Sequence, residues 1–219
     1  MRKRNGDLKN IVFDFDGTLA DTEKGIIAAE KRMLEEFGLP VTSEARMRSA
    51  IGLPLGKALQ AGGNVPDELL EKACERYHEL FFICAPEHII MFDGVRDTLD
   101  ELKSRGVGMA IATSRGTDSL NWILNILDAG HYFDTCVTAS DVSGHKPLPD
   151  SVLLIMERLG WKAGDTLVVG DTTYDILMGK AAGCSTLGVT YGNHSREKLL
   201  TAAPTFLSDR FDEILNLIG

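Results

Sequence analysis

Asp14-Phe15-Asp16-Gly17-Thr18 sets two carboxylates two residues apart, directly after the apolar run Asn10-Ile11-Val12-Phe13 and before a glycine and a hydroxyl. The apolar run is partly β-branched and reads as a short buried strand. Residues two apart on an extended chain point the same way, so Asp14 and Asp16 can emerge towards one site once Gly17 turns the chain. Adjacent carboxylates repel, and such a pair calls for a cation, a shared proton or a basic partner. Taken alone, the pattern equally suits a strand that ends in solvated aspartates.

Three later segments carry complementary chemistry. Thr113-Ser114-Arg115-Gly116 follows the apolar residues 109–112, and its hydroxyls and backbone N–H groups can receive phosphate oxygens. In His145-Lys146-Pro147 the proline biases Lys146 towards an extended backbone, which would hold an ammonium at a defined place. Gly170-Asp171-Thr172-Thr173-Tyr174-Asp175 marks a strand becoming a helix, and Asp171 and Asp175, four apart, can face one side near the helix N-terminus. Each segment has an ordinary reading as a helix cap or a solvated charge. Their order, each at the end of an expected strand, points to one site, because ligands of open α/β sheets bind outside the carboxyl ends of the strands. Carboxylates for a hard divalent cation, hydroxyls for phosphate oxygens and one ammonium together suit Mg²⁺ better than zinc, which prefers His and Cys.

Positioning these segments requires a parallel sheet. Strands are expected at 10–13, 107–113, 135–138, 166–170 and 185–189, with amphipathic helices at 97–104, 118–127, 151–159 and 174–182; Val152, Ile155, Met156 and Leu159 show the helical spacing. Five strands with helical crossovers build a Rossmann-like parallel α/β sheet with helices on both faces. Residues 21–91 break the alternation. Ile26, Ile27, Met33, Leu34 and Phe37 share a helical face, ended by Gly38-Leu39-Pro40. Stretches 43–51, 55–59 and 66–82 also look helical, with no strand between them. The expected organisation is therefore a core of residues 1–20 and 92–219, and a helical cap of 21–91 inserted after the first strand and able to close over the aspartates.

The 219 residues suffice for an ample core. A net charge of −9 argues against a nucleic-acid partner but not against a small phosphorylated metabolite. Met1-Arg2-Lys3-Arg4 is basic, but no apolar stretch that could serve as a signal peptide follows it, and no run is long enough to span a bilayer. Cys74, Cys84, Cys136 and Cys184 are scattered, without CxxC spacing, and read as reduced, mostly buried thiols of a cytoplasmic protein, monomeric or homodimeric.

The four segments in this order resemble the motifs of the haloacid-dehalogenase superfamily of phosphohydrolases: DFDGT at 14–18, TS at 113–114, K at 146 and GDTTYD at 170–175. The resemblance covers essentially the whole chain and is nearest to the phosphoglycolate phosphatase and pyrophosphatase-like branch. It implies that Asp14 attacks phosphorus to form an aspartyl-phosphate, that Asp16 is the general acid and base, and that Lys146 offsets charge. For the acid step Asp16 must be protonated, which crowding by Asp14 would favour. The resemblance further implies Mg²⁺ held by the Asp14 side chain, the Asp16 carbonyl and Asp171, with Asp175 close by or behind them. Thr113 and Ser114 would bind phosphoryl oxygens, and Thr18 would support that loop. The stretch Gly52-Leu53-Pro54-Leu55-Gly56-Lys57 resembles the cap loop that faces the active site in relatives, where Lys57 would meet an anionic leaving group; Arg46 and Arg48 are weaker candidates. The expected activity is hydrolysis of a small phosphomonoester such as phosphoglycolate. Rivals are a sugar-phosphate phosphatase or pyrophosphatase, a phosphosugar mutase of the β-phosphoglucomutase type, and a non-catalytic aspartyl-phosphate receiver. The fourth motif, Gly170-Asp171-Thr172 rather than Glu-Asp-Ser, argues against the mutase, and the long insertion against the receiver.

Overall fold

A computed structural model describes residues 8–218, so the basic Met1-Arg2-Lys3-Arg4 segment and the first residues of the expected core lie outside the described residues. The first strand, β1 (Asn10–Phe13), leads through a turn to β2 (Ala20–Asp21). Four helices follow: α1 (Glu23–Glu36), α2 (Glu44–Ala50), α3 (Leu55–Gly63) and α4 (Leu70–Cys84). After β3 (Ile90–Met91) the chain alternates as α5 (Val95–Ser104), β4 (Gly108–Ala112), α6 (Thr117–Ile126), β5 (Thr135–Val137), α7 (Asp150–Leu159) and β6 (Thr166–Gly170). Then come α8 (Thr173–Ala181), β7 (Ser185–Val189), α9 (Arg196–Thr201) and β8 (Phe206–Ser208), and a 3-10 helix over Phe211–Asn216 follows.

Six of these strands form one parallel sheet in the order β5-β4-β1-β6-β7-β8. Strand β1 sits inside it, with Phe13 opposite Ile111 of β4 on one side and Val169 of β6 on the other. That register lays the loops after β1, β4 and β6 side by side, and the strand order reverses at β1, where a ligand crevice forms. The pleat of β1 shows why helices cover both faces. Ile11 and Phe13 point into one cluster with Val95, Leu99 and Leu102 of α5, while Val12 points into another with Val152 and Ile155 of α7 and Met178 of α8.

Two features depart from the expected elements. The sixth strand, β8, has three residues, of which Phe206 and Leu207 are only partly buried, so its apolar signal is weak. The helical segment is also not free of strands: Ala20 pairs with Met91 and Asp21 with Ile90 in an antiparallel ladder too short for any alternation to show. This ladder ties together the two chains that lead into and out of α1–α4. Among the described residues no helix is long and apolar enough to cross a membrane. The four cysteines form no disulfide with one another; Cys184 is buried, whereas Cys74, Cys84 and Cys136 are only half-buried, contrary to the expectation of mostly buried thiols.

Candidate active site

The backbone N–H of Asp14 donates to the Val169 carbonyl at 2.8 Å, so the strand ladder carries on to the residue that leaves the sheet. Its side chain meets Asp171 and Asp175, and one carboxylate oxygen from each of the three lies within 4.8 Å of the others. All three are buried. Lys146, 4% exposed, reaches into the cluster and donates to Asp14 Oδ1 at 2.5 Å and to Asp175 Oδ1 at 2.7 Å. Burial works against its charge, yet Asp14 and Asp175 hold the ammonium above its ordinary range. The other Asp175 oxygen accepts from the Thr172 N–H and hydroxyl at 3.0 and 2.6 Å, closing a capping box at the start of α8.

Three carboxylates face one ammonium, and the surplus is visible in their chemistry. Burial, then Asp175, push the Asp14 carboxyl well above the ordinary range, against the pull of Lys146. Burial and Asp175 push Asp171 up to about 7, opposed by hydrogen bonds from Asn193 and Thr18. Asp14 Oδ2 is buried and has no hydrogen-bond partner. An orphaned carboxylate oxygen beside two more carboxylates is the donor set of a hard divalent cation, so the residues fit a metal.

Asp171 is held in place by its surroundings. Thr18 Oγ1 donates to its Oδ1 at 2.9 Å, and the Asn193 backbone and side-chain N–H groups donate to its Oδ2 at 2.6 and 2.8 Å. Gly17 has φ +86°, and a Cβ there would lie 2.3 Å from Asp171 Oδ2. The glycine after the second aspartate is thus required twice, for the turn and for the close approach.

Asp16 lies outside the metal cluster. Both its oxygens accept from Arg115, with Nε at 2.9 and 2.7 Å and Nη2 at 2.6 Å, and Oδ1 also accepts from the Thr22 hydroxyl at 2.5 Å. The Asp16 carboxylate is thus directed to a guanidinium, although its charge still contributes to raising the Asp14 carboxyl, and its backbone carbonyl accepts from Asn193 Nδ2 at 3.4 Å. Arg115 in turn donates to Ser119 at 2.8 Å and lies 4.4 Å from the ring centroid of Phe81 on α4, bridging the sheet loop to the helical segment.

A cavity of about 80 Å³ opens between the carboxyl end of the sheet and α1–α4. Asp14, Asp16, Ser114 and Arg115 form its sheet side, while Glu30, Tyr77 and the apolar residues Met47, Ile51, Leu53 and Leu59 form its helical side. Gly52, Leu53 and Leu55 of the expected cap loop do face it, and Ser114 Oγ donates to the Gly52 carbonyl at 2.7 Å. Lys57 does not line the cavity; it is exposed, because on α3 its neighbours Leu55, Ala58 and Leu59 take the inward face. Arg46 donates to the Ala61 carbonyl and Asn64, and Arg48 pairs with Glu23, both at the surface. Thr113 is buried, and its Oγ1 accepts from the Arg115 N–H at 3.2 Å; it does not line the cavity. Thr18 likewise faces Asp171, not the cavity.

The structure adds residues that sequence reasoning left without a role. Arg115 stood in a quoted segment, but nothing local says that it would pair with a residue 99 positions away. Asn193 lies after β7, where a Gly-Asn-His run signals only a loop. Glu30 leaves a trace: it falls three and four residues from Ile27, Ile26, Met33 and Leu34, on the apolar stripe of α1.

Comparison with known proteins places this geometry among relatives. The haloacid dehalogenase-like hydrolase family matches over residues 11–189. The chain is 37% identical over 209 residues to a protein of Dickeya dadantii named "Probable phosphatase IndB", with 94% of this chain and 91% of that protein covered. It is 33% identical over 217 residues to the phosphoglycolate phosphatase of Pectobacterium atrosepticum, covering 97% of this chain and 93% of the other. A crystal structure of a hydrolase from Pseudomonas syringae superposes with a TM-score of 0.84 at 27% identity, covering 95% and 96% of the two chains.

Proposed function

The chain belongs to the haloacid dehalogenase-like hydrolase family, and from that premise we propose that it is a Mg²⁺-dependent phosphatase of small phosphomonoesters, phosphoglycolate-like in size, working through an aspartyl-phosphate. The observation that carries this reading is Asp14: the residue lines the cavity, one of its carboxylate oxygens is fixed by Lys146, and the other is buried and free of hydrogen bonds. That is the disposition of an oriented nucleophile.

In the first half-reaction an Asp14 carboxylate oxygen forms a bond to phosphorus as the ester P–O bond breaks, and Asp16 gives its proton to the departing alkoxide oxygen. To do so Asp16 exchanges its contacts with Arg115 and Thr22 for the leaving group. In the second, a water attacks phosphorus, Asp16 takes the water's proton, and the acyl-phosphate P–O bond breaks to release phosphate and regenerate Asp14. Lys146 stays on Asp14 Oδ1 and offsets the charge of the transferred group. Asp14, Asp171 and the Asp16 carbonyl would hold Mg²⁺, with Asp175 behind through Lys146, and the ion would supply neutralisation of phosphoryl charge. The Ser114 and Thr113 segment would receive the remaining phosphoryl oxygens. We assign residues 1–20 and 92–219 to the catalytic core and 21–91 to a cap whose closure keeps out water. The compact cavity supports a small leaving group over a hexose.

Phosphate release from a panel of phosphomonoesters with Mg²⁺, run beside Asp14→Asn, tests the proposal. Wild type should turn over, and the variant should lose at least about 10³-fold in kcat, its amide being a poor nucleophile. Interconversion of sugar-phosphate isomers without net phosphate release would overturn the phosphatase assignment.

A further inference from the structure

Among the described residues only two buried side-chain polar atoms lack a hydrogen-bond partner: Asp14 Oδ2 and Glu30 Oε1. Both side chains line the same cavity. The first is explained by phosphoryl transfer; the second has no part in it. Buried polar groups are otherwise satisfied, so an orphan oxygen on a residue that lines a ligand cavity marks a place where a ligand can supply the partner.

Glu30 is held in this position. It is 3% exposed, on a face of α1 that also buries Ile27, Met33 and Leu34. On the far side, α3 approaches through Gly62 and Gly63, and a Cβ on either would lie 2.9 Å from Glu30 Oε1. The two glycines let the helix backbones close around the carboxyl group. Elsewhere the cap side of the cavity is largely apolar and offers few competing acceptors. Arg115, the cation of the cavity, is engaged by Asp16 and Ser119.

Resting on the phosphatase reading, we propose that Glu30 is the specificity-determining acceptor for the leaving group, and that the preferred substrates are small phosphomonoesters whose alcohol carries a second hydrogen-bond donor, a hydroxyl or an ammonium. A carboxylate on the leaving group would bring a second anion to an oxygen already short of solvation, whereas a donor satisfies it directly. Among small substrates, donor-bearing esters therefore outrank phosphoglycolate. Burial alone pushes the Glu30 carboxyl up to about 7, consistent with an acid that has no partner until a ligand arrives.

The test compares kcat/KM for glycerol phosphate, phosphoethanolamine, phosphoglycolate and ethyl phosphate, with p-nitrophenyl phosphate as a general phosphatase substrate. Wild type should favour glycerol phosphate or phosphoethanolamine over ethyl phosphate by roughly 10- to 100-fold, the scale of a hydrogen bond to a charged group. In Glu30→Met that ratio should fall to about one, through KM more than kcat. Glu30→Gln, which keeps a carbonyl acceptor but no charge, should retain selectivity for the hydroxyl and lose it for the ammonium. If Glu30→Met does not fold, the Gln variant alone decides. Equal use of ethyl phosphate and the donor-bearing esters by wild type, or a parallel loss on every substrate in the variants, would overturn the role of Glu30 while leaving the phosphatase reading intact. No turnover of any of the five by wild type with Mg²⁺ would overturn the phosphatase reading and this proposal with it.

Discussion

Replacing Glu30 by glutamine should stabilise the metal-free, substrate-free protein at neutral and alkaline pH and do little in acid. In the unfolded chain the carboxyl titrates near its ordinary 4.5, and in the folded chain burial moves it to about 7. Between those values the native state binds the extra proton, so stability falls as pH rises from 4.5 to 7; the penalty is complete above 7 and absent below 4.5. At about 1.4 kcal/mol per pH unit the displacement is worth about 3 kcal/mol, an upper bound because water drawn into the cavity solvates the anion. Glutamine has the same shape and no proton to lose, so its advantage over wild type should grow along that curve. For a domain of this size the full difference corresponds to roughly 6–12 °C in Tm. The assay is thermal or urea unfolding of the two proteins in EDTA at half-unit pH steps from 4 to 8.5. Taking the difference between variant and wild type removes the contributions of Asp14 and Asp171, which titrate in both. A difference that stays flat across this range would refute the reasoning, because it would mean that Glu30 is solvated or paired.

Asp16→Asn should lower kcat by roughly 10²- to 10⁴-fold on alkyl phosphates and much less on p-nitrophenyl phosphate, whose leaving group departs without a proton; kcat on the two classes, measured side by side, checks this. Arg115→Ala removes the guanidinium that holds both Asp16 oxygens, so kcat should fall more on an alkyl phosphate than on p-nitrophenyl phosphate, whose leaving group needs no proton. Equal losses on the two substrates would show that Arg115 does not act through Asp16. Asp171→Ala should raise the Mg²⁺ concentration needed for half-maximal activity and abolish the rise in Tm on adding Mg²⁺, read from titrations by phosphate release and by thermal unfolding.

The order of chemistry along the chain was determined by sequence. An apolar run followed by DxDGT, a hydroxyl pair after a second strand, a lysine before proline and a Gly-Asp turn into a helix each follow from local patterns of two to six residues. Because side chains alternate along strands and ligands gather at strand ends, those patterns bring Asp14, Asp171, Asp175 and Lys146 to one end of the sheet. Tertiary structure decided what no local pattern encodes. Arg115 meets Asp16 across 99 residues, and Asn193 meets Asp171 across 22, because β4 lies beside β1 and β7 beside β6, which brings together the loops that follow each pair of strands. Lys57 turned outward because three apolar neighbours claim the inner face of α3, a competition settled by packing against α4 and the sheet loops rather than by the lysine. Glu30 is the intermediate case. Its spacing on α1 put a carboxyl on an apolar stripe, but only the approach of Gly62 and Gly63 shows that it is buried there, fixed, and without a partner, since solvation is a property of the surroundings and not of the residue.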